Sequence, residues 1–237
     1  LTVNAHYTLK NQLVGGFNLE ARPDDASLVL ADASLKLSWP DRLYPPGNRA
    51  GRDSYEEWTA RSLQARFRFL RKTFDPRLFL GPMMDLRVTQ VVETEEGGLL
   101  EQGAVEGGED HGLLGLGLAA TWDSRSSPVY PISGSFHSFT LVASRSLLGE
   151  RRWVLSGEVD VRAYREVARR TVLALRGRMR SSWGDVPFTM HAVMGGVAGG
   201  LRGIYENRYA HSSAAVVVAE LRRRLWGRLG AVVFAGA

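Results

Sequence analysis

Residues Trp153–Tyr164 read WVLSGEVDVRAY. In an extended chain Trp153, Leu155, Val159 and Val161 fall on one side, and Ser156, Glu158, Asp160, Arg162 and Tyr164 on the other. Alternation with period two predicts a strand whose faces meet different surroundings. Downstream, Leu173, Leu175 and Met179 oppose Arg176, Arg178 and Arg180. Upstream, Phe139, Leu141 and Ala143 oppose Ser138, Thr140 and Ser144.

The pattern continues to both ends. Leu114, Leu116, Leu118, Ala120 and Trp122 oppose Gly115, Gly117, Thr121 and Asp123. Leu78, Leu80, Pro82, Met84, Leu86 and Val88 oppose Asp85, Arg87 and Thr89. Leu63, Ala65, Phe67 and Phe69 alternate with Gln64, Arg66 and Arg68. Val29, Ala31, Ala33, Leu35, Leu37 and Trp39 share a face, with Asp32, Ser34, Lys36 and Ser38 behind them. Leu1 to Leu9 and a run around Phe17, Leu19 and Ala21 supply two more strands. Whether Lys10-Asn11-Gln12 between them is a turn or mid-strand stays open. His211–Arg224 and Gly230–Ala237 supply the last two.

Two properties of the set bear on its surroundings. The polar face is charged on nearly every strand, and no helix is predicted that could cover the apolar one. Short connections near 23–25, 74–76, 124–131 and 166–170 alternate with long ones at 40–56, 94–112 and 185–210, with a further short one at 148–150. Short turns at one rim and long loops at the other suit an outer-membrane barrel, as do Trp39 and Trp122 at strand ends, where an interfacial aromatic girdle would sit. A soluble barrel or sandwich with an apolar interior would carry an equally charged wet face.

Composition narrows the classes. The chain has 237 residues and 44% hydrophobic content, which argues against disorder. No run approaches the ~18 apolar residues of a spanning helix, which excludes an α-helical membrane protein but not a barrel. Thirty Lys+Arg against 25 Asp+Glu give a net charge of +5, but the arginines alternate within strands and form no nucleic-acid footprint. Cysteine is absent, so thiolate metal sites are out. His6, His111, His137, His191 and His211 lack metal-ligand spacing, and no G-x-S-x-G elbow occurs. Asp85, Glu158 and Asp160 lie opposite cations, which favours structural pairing over acid–base work. No catalytic residue, metal site or cofactor is expected. Because residue 1 opens directly into a strand with no signal peptide, and the last residues stop inside one, residues 1–237 are expected to be one β-barrel domain truncated at both ends.

Three motifs succeed one another in order. Asp123-Ser-Arg125 leads through Pro131 to Gly134. Gly184-Asp-Val-Pro-Phe188 precedes Gly195-Gly196 and then GGLRGIYENRY at Gly199–Tyr209, centred on Leu201-Arg202-Gly203-Ile204-Tyr205. Glu220-Leu221-Arg222 comes next. Together they resemble the BamA/TamA family of outer-membrane proteins (the bacterial surface antigen family): its D-x-R-x(n)-P-x-x-G turn, its lumen loop with the [VL]-R-G-[FY] signature, and its E-x-R strand. Trp39–Asn48 and Tyr55–Arg61 also resemble that family's upstream barrel strands. There are two departures. Ile204 takes the place of the usual aromatic, with Tyr205 after it, and Gly236 stands where the family often has an aspartate.

The resemblance implies an antiparallel transmembrane β-barrel of sixteen strands, of which this chain would carry about eleven. It implies location in the bacterial outer membrane, contact with outer-membrane lipids, and a role in inserting outer-membrane proteins or translocating polypeptides. Its partners would be client outer-membrane proteins or secreted chains, with accessory assembly proteins and no nucleic acid. It implies that Arg202 anchors the loop in the lumen through Glu220 and Arg222. For Asp123 and Arg125 the plain expectation is a turn with a rim ion pair. A barrel anchoring a fused enzyme such as a patatin-like lipase, and a passive pore, are the alternatives.

Overall fold

The computed structural model describes residues 1–8, 12–45, 51–196 and 200–237. Leu9, Lys10 and Asn11, the Pro46–Asn48 end of the Trp39–Asn48 segment, and Gly199 lie outside the described residues.

The strands are β1 (Thr2–Tyr7), β2 (Leu13–Ala21), β3 (Ser27–Leu43), β4 (Glu56–Lys72), β5 (Leu78–Thr94), β6 (His111–Asp123), β7 (Gly134–Leu148), β8 (Trp153–Ala168), β9 (Thr171–Gly184), β10 (Ala192–Val193), β11 (Ala210–His211), β12 (Ser213–Arg224) and β13 (Gly230–Gly236). Eleven of them form one sheet in chain order, β1 to β9, then β12 and β13; β10 and β11 pair separately. Every strand pair is antiparallel. The all-β, eleven-stranded expectation therefore holds. The sheet is open, with β1 and β13 as its edges. Tyr7 pairs with Leu13, so the chain reverses between β1 and β2.

The register puts like faces together. Asp32 pairs with Arg66, Arg66 with Asp85, Glu158 with Arg180, and Asp160 with Arg178. The apolar positions between them form the opposite face, and much of it is open to the surroundings: Leu116 is 65% exposed, Val217 61% and Met179 52%. The charged face is the inner one. Asp85 and Asp160 are buried on it, beside a packed patch of Leu28, Leu70, Phe79, Met83, Ala119 and Val142.

The sheet curls around this inner face. The loop after β9 reaches β3, where Asn207 Nδ2 donates to Asp41 Oδ1 at 3.0 Å, and also β12, where Arg202 meets Glu220 at 2.9 Å. Six strands separate β3 from β12 in the sheet, so only a curled sheet lets one loop touch both.

One expectation is corrected. The register of β3 on β4 slips between Lys36 and Trp39, and Ser38 takes a φ of 50°. A bulge of this kind inserts a residue and switches the face of the residues after it. Trp39 consequently pairs with Ala60 and Asp41 with Trp58, both on the inner face, so Trp39 is not part of an outer girdle. The strand also runs on through Pro40 to Leu43, which shortens the loop expected at 40–56.

Candidate functional site

The candidate site is the loop from Asp185 to Ser212, together with the inner wall beneath it. A 3-10 turn, Phe188–Met190, sits at its start. Phe188 N donates to Glu106 O at 3.0 Å, and the Phe188 ring meets Trp58 edge-on at 4.9 Å. Met190 and Val186 pack with Leu113 and Val154 on the inner face. Burying these side chains is worth about 1.5–3 kcal/mol each, enough to hold a loop that makes few backbone bonds to the wall.

The signature segment folds against itself. Leu201 bridges to Gly195 and donates to Met194 O at 3.0 Å, while Gly196 N donates to Ile204 O at 3.0 Å. A Cβ at Gly195 would run into the Tyr205 carbonyl and the Ile204 side chain, so a glycine is required there. Gly203 has a φ of 81°, a left-handed conformation that suits glycine best.

The structure brings Arg202 and Glu220 together. Arg202 Nη2 donates to Glu220 Oε1 at 2.9 Å, and Arg222 Nη2 and Nε approach Oε2 at 2.7 and 2.8 Å. Arg202 also lies 4.4 Å over the Phe234 ring. Phe234 pairs with Glu220 across β12 and β13, so the carboxylate and the ring form one platform for the guanidinium. Gly236 supplies room in place of a second carboxylate: a Cβ there would meet Leu201 Cδ2 at 2.9 Å. Leu201 is buried, whereas the Arg202 side chain is 59% exposed. Tyr205 faces Arg42 and Arg52 at 5.5 and 5.8 Å, and Ile204 is half-buried.

Asp123 and Arg125 form the expected rim pair at the β6–β7 turn. Arg125 Nε and Nη2 donate to the two carboxylate oxygens at 2.9 and 2.7 Å, and the guanidinium lies 4.6 Å over Phe136. Gly134 has a φ of 90° and packs onto the Ser124 carbonyl, while Pro131 is buried. This group lies at the short-turn rim, where Gly134 pairs with Tyr164.

Two anchors are not evident in the sequence patterns. Arg152, between β7 and β8, is buried and contacts Glu109 at 2.6 Å, Glu150 at 2.8 Å and Glu106 at 3.5 Å. Burial pushes the Glu109 carboxyl up, but the backbone N–H of Glu109 itself and Arg152 outweigh this and hold it below the usual carboxylate range. Glu56, at the start of β4, accepts from Leu99 N and, at 3.0 Å, from Leu100 N. These contacts tie the loop at 95–110 to the wall. His191 and His211 stack at 6.4 Å, and among the described residues no three His, Asp or Glu side chains gather as metal ligands.

No family model and no curated protein matches this chain. The resemblance to the BamA/TamA family accordingly rests on the order and spacing of the quoted motifs.

Proposed function

We propose that this chain is the membrane-spanning barrel part of a BamA/TamA-type outer-membrane protein, working in the insertion of outer-membrane proteins or in polypeptide translocation. The observation that carries the reading is the inverted polarity of the sheet. Ion pairs and hydroxyls line the inner face between its packed apolar patches, and the outer face presents Leu116, Leu118, Phe139, Met179 and Val217 to the surroundings. In water such a face would forgo the main driving force for folding; in lipid it is the required one. No described helix is long and apolar enough to cross a membrane, so a spanning role would fall to the strands.

Aromatic placement adds support. Trp153 and Trp183 are 57% and 51% exposed at the long-loop end, and Trp122, Trp226 and Phe74 lie at the short-turn end. Two rims of aromatic residues fit the two interfaces of a bilayer. The loop lying across the inner face favours an occluded lumen over a passive pore. On this reading the protein works without cofactor or nucleotide, and a client strand would pair with the edge strand of a weak lateral seam by β-augmentation.

The test is reconstitution of the protein into phospholipid vesicles, and then insertion of an unfolded barrel client. The reading predicts alkali-resistant membrane association and faster client insertion than with empty vesicles. A protein that stays in the aqueous fraction contradicts the membrane reading. Membrane association without acceleration contradicts the assembly role.

A further inference from the structure

The inner wall holds a small, partly open pocket beneath the 3-10 turn of the long loop. Arg66, Arg87 and Arg180 line it, together with the Ser144 and Ser156 hydroxyls and with Met190 over them. Asp85 is fully engaged: Oδ2 takes Arg66 at 2.8 Å and Oδ1 takes Arg87 at 2.8 Å. Glu158 sits directly across from Arg180 in the β8–β9 register, yet it binds Arg178 at 2.9 Å. Arg180 makes no ion pair or side-chain hydrogen bond among the described residues. Its charged neighbours are Arg66, Arg87, Arg178 and Glu158. Asp85 and Glu158 are thus taken up by Arg66, Arg87 and Arg178, and the Arg180 guanidinium lines the open space.

A partly buried cation without a counter-charge is costly, and a water-filled pocket relieves only part of that cost. We infer that this pocket binds a small tetrahedral oxyanion of the inorganic phosphate type, with Arg180 as its principal ligand. Guanidinium groups suit such an anion because their N–H forks meet two oxygens at once. Ser144 and Ser156 can donate to the remaining oxygens. Donors come from β4, β5, β7, β8 and β9 and match four acceptors better than the two of a carboxylate. Met190, 3% exposed, lines the space on the loop side. The bound anion would join the strands to one another beneath the loop. The site depends on the pocket alone and not on the membrane role.

The experiment compares thermal unfolding of the protein in zwitterionic detergent with inorganic phosphate and with chloride at matched ionic strength. Phosphate is expected to give a saturable rise of roughly 2–4 °C. Arg180→Gln should lose that rise while unfolding no earlier than wild type in chloride, because it removes an uncompensated charge. Arg180→Lys, which keeps the charge without the fork, should keep a smaller rise. Arg202→Gln, outside the pocket, should respond like wild type. Phosphorus NMR on wild type provides a measurement that needs no variant: broadening of the phosphate line, reversed by sulfate, is expected. Equal responses of wild type and Arg180→Gln, or no broadening, overturn the inference. A shift with phosphatidylglycerol but none with inorganic phosphate overturns the free-anion source in favour of a lipid headgroup.

Discussion

Glu220 holds two arginines on one carboxylate, Arg202 through Oε1 and Arg222 through Oε2. The two bonds are unequal in kind. Arg222 is a neighbour on the same strand, and its side chain is 26% exposed. Arg202 arrives from the loop and is mostly open to solvent, so its ion pair is worth about 0–1 kcal/mol, with the Phe234 contact adding roughly 0.5–1 kcal/mol. Arg202→Ala should accordingly leave the unfolding midpoint nearly unchanged while raising protease cleavage of the loop near residue 202. Unchanged cleavage would show that Leu201 and Phe188 hold the loop without it. Asp85 is a different case. Its side chain is 10% exposed between two arginines, and Asp85→Asn would leave both under-compensated. The expected loss is about 3–5 kcal/mol, read from denaturant unfolding in detergent.

Among the elements, the connections carry most of what is specific. Asp24 closes the β2–β3 turn by accepting from Ala26 N at 2.7 Å and Ser27 Oγ at 3.0 Å. The Ala26 amide, and then the Ser27 hydroxyl, hold its carboxyl below the ordinary range. A depressed pKa means that the stabilisation is present above the unfolded aspartate value of about 3.9 and is lost as pH falls through the lower folded value. The Ala26 amide proton shift should therefore titrate with a midpoint below that of a model peptide; a midpoint at the peptide value would contradict the turn bond. On the opposite rim, Arg152→Ala removes the cation shared by Glu106, Glu109 and Glu150. It should cost about 2 kcal/mol locally and increase hydrogen exchange over 95–110 before global unfolding. Unchanged exchange there would show that Glu56 alone suffices.

The strands themselves were legible because period two survives in sequence wherever the two faces differ in polarity. The bulge at Ser38 was not, since alternation through Trp39 reads the same until the partner strand is known. Arg152 was hidden for a related reason: Glu106 and Glu109 lie more than forty residues away and meet it only after β6 and β7 have paired. The Arg202–Glu220 contact was legible because both residues sit in short motifs flanking one loop. Phe234 and Leu201 as joint replacements for a second carboxylate needed the cross-strand register.

For the whole molecule, the polarity of the two faces is the physical fact on which the membrane reading depends. The eleven-stranded sheet exposes a broad apolar outer face, and a patch of that kind marks a surface that something covers. Lipid is the cover proposed for it. The chain has no cysteine, so single-cysteine labels report each position without background. The most direct test places nitroxides at Leu118→Cys, Phe139→Cys and Leu141→Cys on the outer face, and at Thr140→Cys and Ser156→Cys on the inner one, in protein reconstituted into phospholipid vesicles. Collision with oxygen, which concentrates in lipid, and with a water-soluble nickel chelate is then measured. A lipid-covered outer face predicts high oxygen and low nickel accessibility at 118, 139 and 141, with the oxygen signal dropping at 140 and 156. High nickel accessibility at 118, 139 and 141 would contradict it.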